Sequence, residues 1–229
     1  MLQFPRTGKR ACVLFGFFAA VTLMVSASTA GAAPPYAPFS LTFDEEFKTF
    51  DWSPNGSKRW MTCFPYSGTA KRTLTEQEDE YYSDATVGVD PFVVRDGALT
   101  ITAALHSNSG GKPYTSGLIT TYGSFQQLYG YFEMRAKLPT GPGLWPAFWL
   151  LPADNSWPPE IDVMEVLGKE PDILYVSTHT KETGTQTYQT IPVHVSDLSK
   201  DFHVYGVDWK PEKITWYLDD HEIAQAATP

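Results

Sequence analysis

Glu160, Asp162 and Glu165 stand within six residues, in the stretch Trp157–Gly168 that reads WPPEIDVMEVLG. Ile161, Val163 and Met164 separate them. Carboxylates this close cannot all ionise freely, because each charge raises the proton affinity of its neighbours. One acid is then held protonated and another ionised, the division of labour that acid/base and nucleophilic work on a glycosidic bond requires. Two plainer readings compete: a solvated acidic face of a sheet, and a cation site, since clustered carboxylates bind hard cations. The β-branched, strand-like character of the segment counts against the cation site, which draws on loop oxygens with Gly or Asn spacing.

The geometry of a strand sharpens the choice. Residues two apart share a face, so Glu160 and Asp162 lie together, with Ile161 and Val163 opposite. Strict alternation would put Glu165 on the Ile161 face, aiming a carboxylate into the apolar side at a cost. One extra residue at Val163 or Met164, a β-bulge, restores the parity and returns Glu165 to the acidic face. Glu160 and Glu165 would then be about four strand steps apart, roughly 13 Å between Cα atoms. Two glutamates leaning together can bring their carboxyl groups toward the ~5–5.5 Å of a retaining pair.

The elements that must position this set are strands. Period-2 alternation broken by turn residues recurs, and no long helical period appears. In DGALTITAAL, Asp96-Gly97 makes a turn, and Leu99, Ile101, Ala103 and Leu105 then face one side. In YGYFEMRAKL, Phe132, Met134, Ala136 and Leu138 oppose Glu133, Arg135 and Lys137. Near the end, two strands flank Lys210–Lys213, with Ile214, Trp216 and Leu218 on one face of the second, and Asp219-Asp220 makes the next turn. Many short strands with frequent turns give an all-β sandwich or barrel. No internal repeat, linker or second domain is visible.

Composition sets outer bounds. The 229 residues are enough for one domain with a substantial core, and 42% apolar against 19% charged residues make the chain globular. Residues 1–32 read as a secretory signal. Arg6, Lys9 and Arg10 form its positive region, Val13–Val25 its apolar run, and Ala30-Gly31-Ala32 its cleavage site. The domain is therefore expected over 33–229, secreted or periplasmic, with no membrane contact once the signal is cut. Of 17 basic side chains, removing those three leaves 14 against 26 acidic ones, a balance of −12. Nucleic acid and anionic membranes need a basic patch, so both are excluded as partners. Cys12 falls in the signal and only Cys63 remains, so no intrachain disulfide is expected.

Several blocks, taken together and in order, resemble glycoside hydrolase family 16, and within it the laminarinase-like branch. They are LTFDEEF (Leu41–Phe47), DPFVVRDGALTITA (Asp90–Ala103), YGYFEMRAKLP, GLWPAFWLLP (Gly143–Pro152), the acidic hexapeptide in its bulged E-x-D-x-x-E form, and FHVYGVDWKPEKITWYLDD (Phe202–Asp220). The resemblance implies a concanavalin-like β-jelly-roll sandwich with a cleft across its concave sheet. It implies Glu160 as nucleophile, Glu165 as general acid/base and Asp162 as the group tuning Glu160. The reaction implied is retaining endo-hydrolysis of a β-glycan, on β-1,3- or β-1,3/1,4-glucan or a related exopolysaccharide. Transglycosylation, a non-catalytic glycan-binding jelly roll and an inactive fragment remain alternatives.

For substrate contacts the same resemblance points to Trp145 and His179. Core packing is the equal alternative for Trp145, and a structural role the alternative for His179. Trp157, just before the acidic strand, is a candidate to stack on a sugar near the reaction centre, Trp149 is core or cleft floor, and Tyr82 reaches the cleft edge or packs. His106, His194, His203 and His221 read as ordinary surface or loop histidines. A polysaccharide is the partner and a monomer the expected state. No organic cofactor is implied. Family members often hold a calcium ion on the convex side through strands that follow WYLDDHEI; the 33–229 domain is expected to be C-terminally truncated, without its last strands, so no calcium is expected. Leu118 stands where β-1,3-glucan branches often carry a polar or basic residue, which leaves the glucan itself open.

Overall fold

The computed structural model describes residues 39–75, 77–181 and 184–229. The signal segment and Cys12 lie outside the described residues. Regular structure among the described residues is almost entirely strand, with two short 3-10 turns at Gly68–Lys71 and Ala85–Val87.

The first half of the chain makes small sheets. β1 (Trp52–Ser53) pairs in parallel with β2 (Trp60–Met61). β3 (Glu80–Tyr82) leads to the hairpin of β4 (Phe92–Arg95) and β5 (Ala98–Ile101). Its turn is Asp96-Gly97, with φ of 53° and 72°, the pair of left-handed residues that a two-residue type I′ hairpin needs. The expected alternation from Leu99 to Leu105 is not one strand. β5 ends at Ile101, and β6 (Ala104–Leu105) pairs instead with β7 (Tyr114–Ser116), which also joins β3. Leu99 packs under Phe43, Phe47 and Trp60, whereas Leu105 is exposed, because the chain changes sheets between them.

The second half makes two four-stranded antiparallel sheets. β8 (Gly130–Ala136) belongs to one sheet and β9 (Ala147–Leu150), β10 (Glu160–Glu165), β11 (Ile173–Thr180) and β12 (Thr187–His194) form the other, in the order β12-β11-β10-β9. β13 (His203–Trp209), β14 (Lys213–Leu218) and β15 (His221–Ala227) complete the first, in the order β15-β14-β13-β8. The turn joining β14 to β15 is Asp219-Asp220, again with both φ positive.

The inner faces of these sheets meet in one core. Phe132, Tyr205, Val207, Ile214 and Trp216 come from one sheet; Ile161, Val163, Met164, Leu174 and Val176 come from the other. Alternate residues point inward on each strand, so the two patterns interdigitate as an all-β jelly-roll sandwich. Trp216 is fully buried, and its indole Nε1–H donates to the Asp162 carbonyl 2.9 Å away, joining the two sheets at the acidic strand. Phe125 touches this core and the smaller Phe43–Phe47–Trp60 cluster, so the two halves are continuous. Cys63 is buried, a free thiol whose Sγ lies 3.1 Å from the Pro54 carbonyl.

Candidate active site

β10 carries the acidic hexapeptide, and its register shows the bulge. Against β11, Asp162 faces Ser177 and Glu165 faces Tyr175: three steps on β10 match two on its partner. Against β9, the shift falls between Asp162 and Met164, opposite Trp149 and Phe148. Val163 and Met164 are both buried in the core, and Glu165 returns to the outer face beside Glu160 and Asp162. An apolar pair absorbs the extra residue, so no carboxylate is driven between the sheets.

Each carboxylate has its own partners. Trp157 Nε1–H donates to Glu160 Oε2. Trp145 Nε1–H donates to Glu165 Oε1 at 3.0 Å, and Ser177 Oγ lies 3.5 Å from Glu165 Oε2. Asp162, only 3% exposed, hydrogen-bonds Glu160 and stands 3.1 Å from His179 Nε2. His179 Nδ1 is buried and has no hydrogen-bond partner among the described residues. A proton on Nδ1 would be stranded, so the ring carries its proton on Nε2 and donates it to Asp162.

Burial, reinforced by the charges of Glu160 and Glu165, lifts Asp162 far above the usual carboxylate range. It is held neutral, and its own proton is available to Glu160. Burial also raises Glu165, helped by the Glu160 charge and opposed by the Trp145 and Ser177 hydrogen bonds and by His179. The three acids therefore occupy different environments.

The structure brings six of the expected residues together on one face: Glu160, Asp162, Glu165, Trp145, Trp157 and His179. Trp145 is 65% and Trp157 47% exposed, so both present open ring faces while their N–H groups hold the acids. Trp149, half-buried, sits opposite Asp162 in the register and edge-on to Phe64 at 6.2 Å, which makes it floor. Tyr82 packs edge-on against the other side of that network, 5.6 Å from the Phe64 ring, with its hydroxyl 3.0 Å from Glu80. Phe64 stands between Tyr82 and Trp149.

Trp145 is placed by the end of the same motif. Gly168 N–H donates to the Leu144 carbonyl at 2.7 Å, and the Gly168 carbonyl accepts from Gly141 N–H at 2.8 Å. A methyl group at Gly168 would collide with the Gly141 carbonyl oxygen. Only glycine allows the loop bearing Trp145 to lie this close to the end of β10.

Two residues escaped the sequence. Ser177 faces Asp162 across the β10–β11 ladder, and only the register brings it there. Tyr66 stacks on Phe64 at 5.8 Å; its hydroxyl is raised by burial and by the Glu160 charge. It comes from an irregular segment with no periodic signal. Glu160, Asp162 and His179 could together hold a cation, since one ligand atom from each lies within 4.8 Å of the others. A cation there would displace the Trp157 or Asp162 hydrogen bond to Glu160 and would need His179 Nε2 without its proton.

With this geometry in hand, comparisons with known proteins converge. The model of Glycosyl hydrolases family 16 matches residues 78–229. The chain is 46% identical over 200 residues to the endo-1,3-1,4-beta-glycanase ExsH of Rhizobium meliloti, covering 83% of this chain and 43% of that protein. It is 44% identical over 198 residues to the endo-1,3-1,4-beta-glycanase EglC of the same organism, covering 82% and 42%. The chain thus spans under half the length of these two relatives. Among solved structures it is similar to the laminarinase catalytic domain of Thermotoga maritima, with a TM-score of 0.67 and 30% identity over 82% of this chain and 77% of that one. On the family match and these likenesses, the chain belongs to glycosyl hydrolase family 16.

Proposed function

We propose that the chain is a secreted, retaining endo-β-glycanase that cuts internal bonds of a β-1,3- or mixed β-1,3/1,4-glucan or a related exopolysaccharide. The observation that carries this reading is the bulge: it sets two glutamates on one face, each held by an exposed indole, with a neutral aspartic acid between them. Relatives named as endo-1,3-1,4-beta-glycanases support the substrate class.

In the first step Glu160 attacks the anomeric carbon while Glu165 gives its proton to the departing glycosidic oxygen. The bond to that oxygen breaks and an ester to Glu160 forms. In the second step Glu165, now a carboxylate, takes a proton from water. The hydroxide oxygen bonds to the anomeric carbon and Glu160 leaves. Two inversions give retention. Asp162, holding its proton, donates a hydrogen bond to Glu160, and His179 Nε2–H holds Asp162 in orientation.

The test is release of reducing ends from laminarin, lichenan, agarose, carrageenan and succinoglycan, with proton NMR of the first product formed. Cleavage of a β-glucan with a β-configured first product is expected. Glu160→Gln and Glu165→Gln should each lose roughly 10²–10⁴ of turnover with the melting curve intact. Full activity in Glu160→Gln, or an α-configured first product, would overturn the mechanism.

A further inference from the structure

One exposed ring on the acidic face has no part in the reaction described above. Tyr188, on β12, is 69% exposed. The register runs Glu160 opposite His179 and His179 opposite Tyr188, so these three residues form one row across three strands on a single face. The His179 ring is 5.9 Å from Trp157 on one side and 5.9 Å from Tyr188 on the other, centroid to centroid. The second row on this face is Asp162, Ser177 and Thr190, with the Ser177 and Thr190 hydroxyls 3.0 Å apart. β12 thus adds a wall to the acidic face: an aromatic in the nucleophile's row and a hydroxyl beside it.

We propose that Tyr188 is a substrate-positioning residue, the platform for a sugar unit of the glycan chain one removed from the unit attacked at Glu160. Burial does not account for it, because a ring this open adds little to a core. Two strand spacings, about 10 Å, separate it from Glu160, beyond the reach of a single pyranose ring held over Trp157. The C–H face of a β-linked hexose packs on an aromatic face, leaving the hydroxyls at the rim for Thr190 and solvent. A chain lying along the row would meet Trp157, His179 and Tyr188 in turn. Tyr188 touches no reacting atom; it acts by holding the chain. This inference rests on the proposed glycan-cleaving function.

The experiment compares Tyr188→Ala and Tyr188→Phe with the native chain, on the best-cleaved polymer and on graded oligosaccharides of the same linkage. Tyr188→Ala should raise KM on polymer about tenfold with kcat within twofold, the worth of one good aromatic contact. Tyr188→Phe should match the native chain, since the face does the holding. The loss should vanish on the shortest oligosaccharides cleaved, which cannot reach β12. An unchanged KM in Tyr188→Ala, an equal loss at every length, or a Phe variant as weak as Ala would each overturn the platform while leaving the enzymatic reading intact. A native chain that cleaves no β-glycan in the panel would instead remove the reading beneath it, and the platform with it. Oligosaccharide binding to Glu160→Gln, with and without Tyr188→Ala, gives the same comparison without turnover.

Discussion

Trp145 touches Glu165 through its N–H and keeps its ring open to the cleft, so one side chain can set both a proton affinity and a sugar contact. The hydrogen bond favours the ionised acid and lowers an affinity that burial has raised. Trp145→Phe keeps an aromatic face and removes the donor. Glu165 then rises further, and the alkaline limb of the kcat/KM profile, which reports the free enzyme's acid, moves to higher pH. A limb that stays in place or moves down would show that another group is the acid. Asp162 gives the complementary case. Its raised affinity means the folded chain keeps a proton that the unfolded chain releases. Its contribution to stability is whole in acid below the ordinary aspartate range and declines as pH climbs above it. Asp162→Asn cannot ionise, yet still offers an N–H to Glu160. It should melt above the native chain at pH 7–8, by a margin that shrinks toward roughly pH 4, and lose far less turnover than Glu160→Gln. Thermal melts across that pH range check the first point and polymer assays the second.

At the scale of the element, the end of β10 and the loop before β9 are fastened to each other through Gly168. Gly168→Ala should push the Gly141–Trp145 segment outward and part Trp145 from Glu165. Its pH profile should then shift as in Trp145→Phe, with a destabilisation of about 1–3 kcal/mol from overpacking, measured by urea unfolding. The strands themselves were legible because each has one buried face: Phe132, Met134 and Ala136 alternate with polar partners and meet the core as the pattern requires. The bulge was legible for a different reason, since a carboxylate at Glu165 is intolerable on the apolar side. The run from Leu99 to Leu105 misled, because alternation says which face a residue takes and nothing about which sheet its strand joins. Ser177, Tyr66 and Tyr188 were hidden because they reach the site through pairing registers and loop packing, which leave no local signature. Trp145 was open between core and cleft; it is exposed and bonded to Glu165, so core packing is excluded.

Across the whole molecule, the sheet that carries no acidic residue of the site still reaches the reacting strand. Trp216 spans the sandwich and fastens the backbone of Asp162 from below. Trp216→Phe removes that hydrogen bond from a buried carbonyl and should cost about 0.5–1.5 kcal/mol for the lost bond alone. Because the loss falls beneath Asp162 and away from sugar contacts, kcat should drop while KM holds within twofold; steady-state kinetics on a soluble glucan checks this. Cys63 lends the fold a different property. Its thiol is closed off, pushed up in pKa by burial, and sits next to Phe64, whose ring touches Trp149, Tyr66 and Tyr82. A thiol-reactive dye can therefore label the described residues only when the packing around Cys63 opens, so the labelling rate is a clock for that opening. A glycan that stiffened the neighbouring Phe64 network would slow the clock without any chemistry taking place.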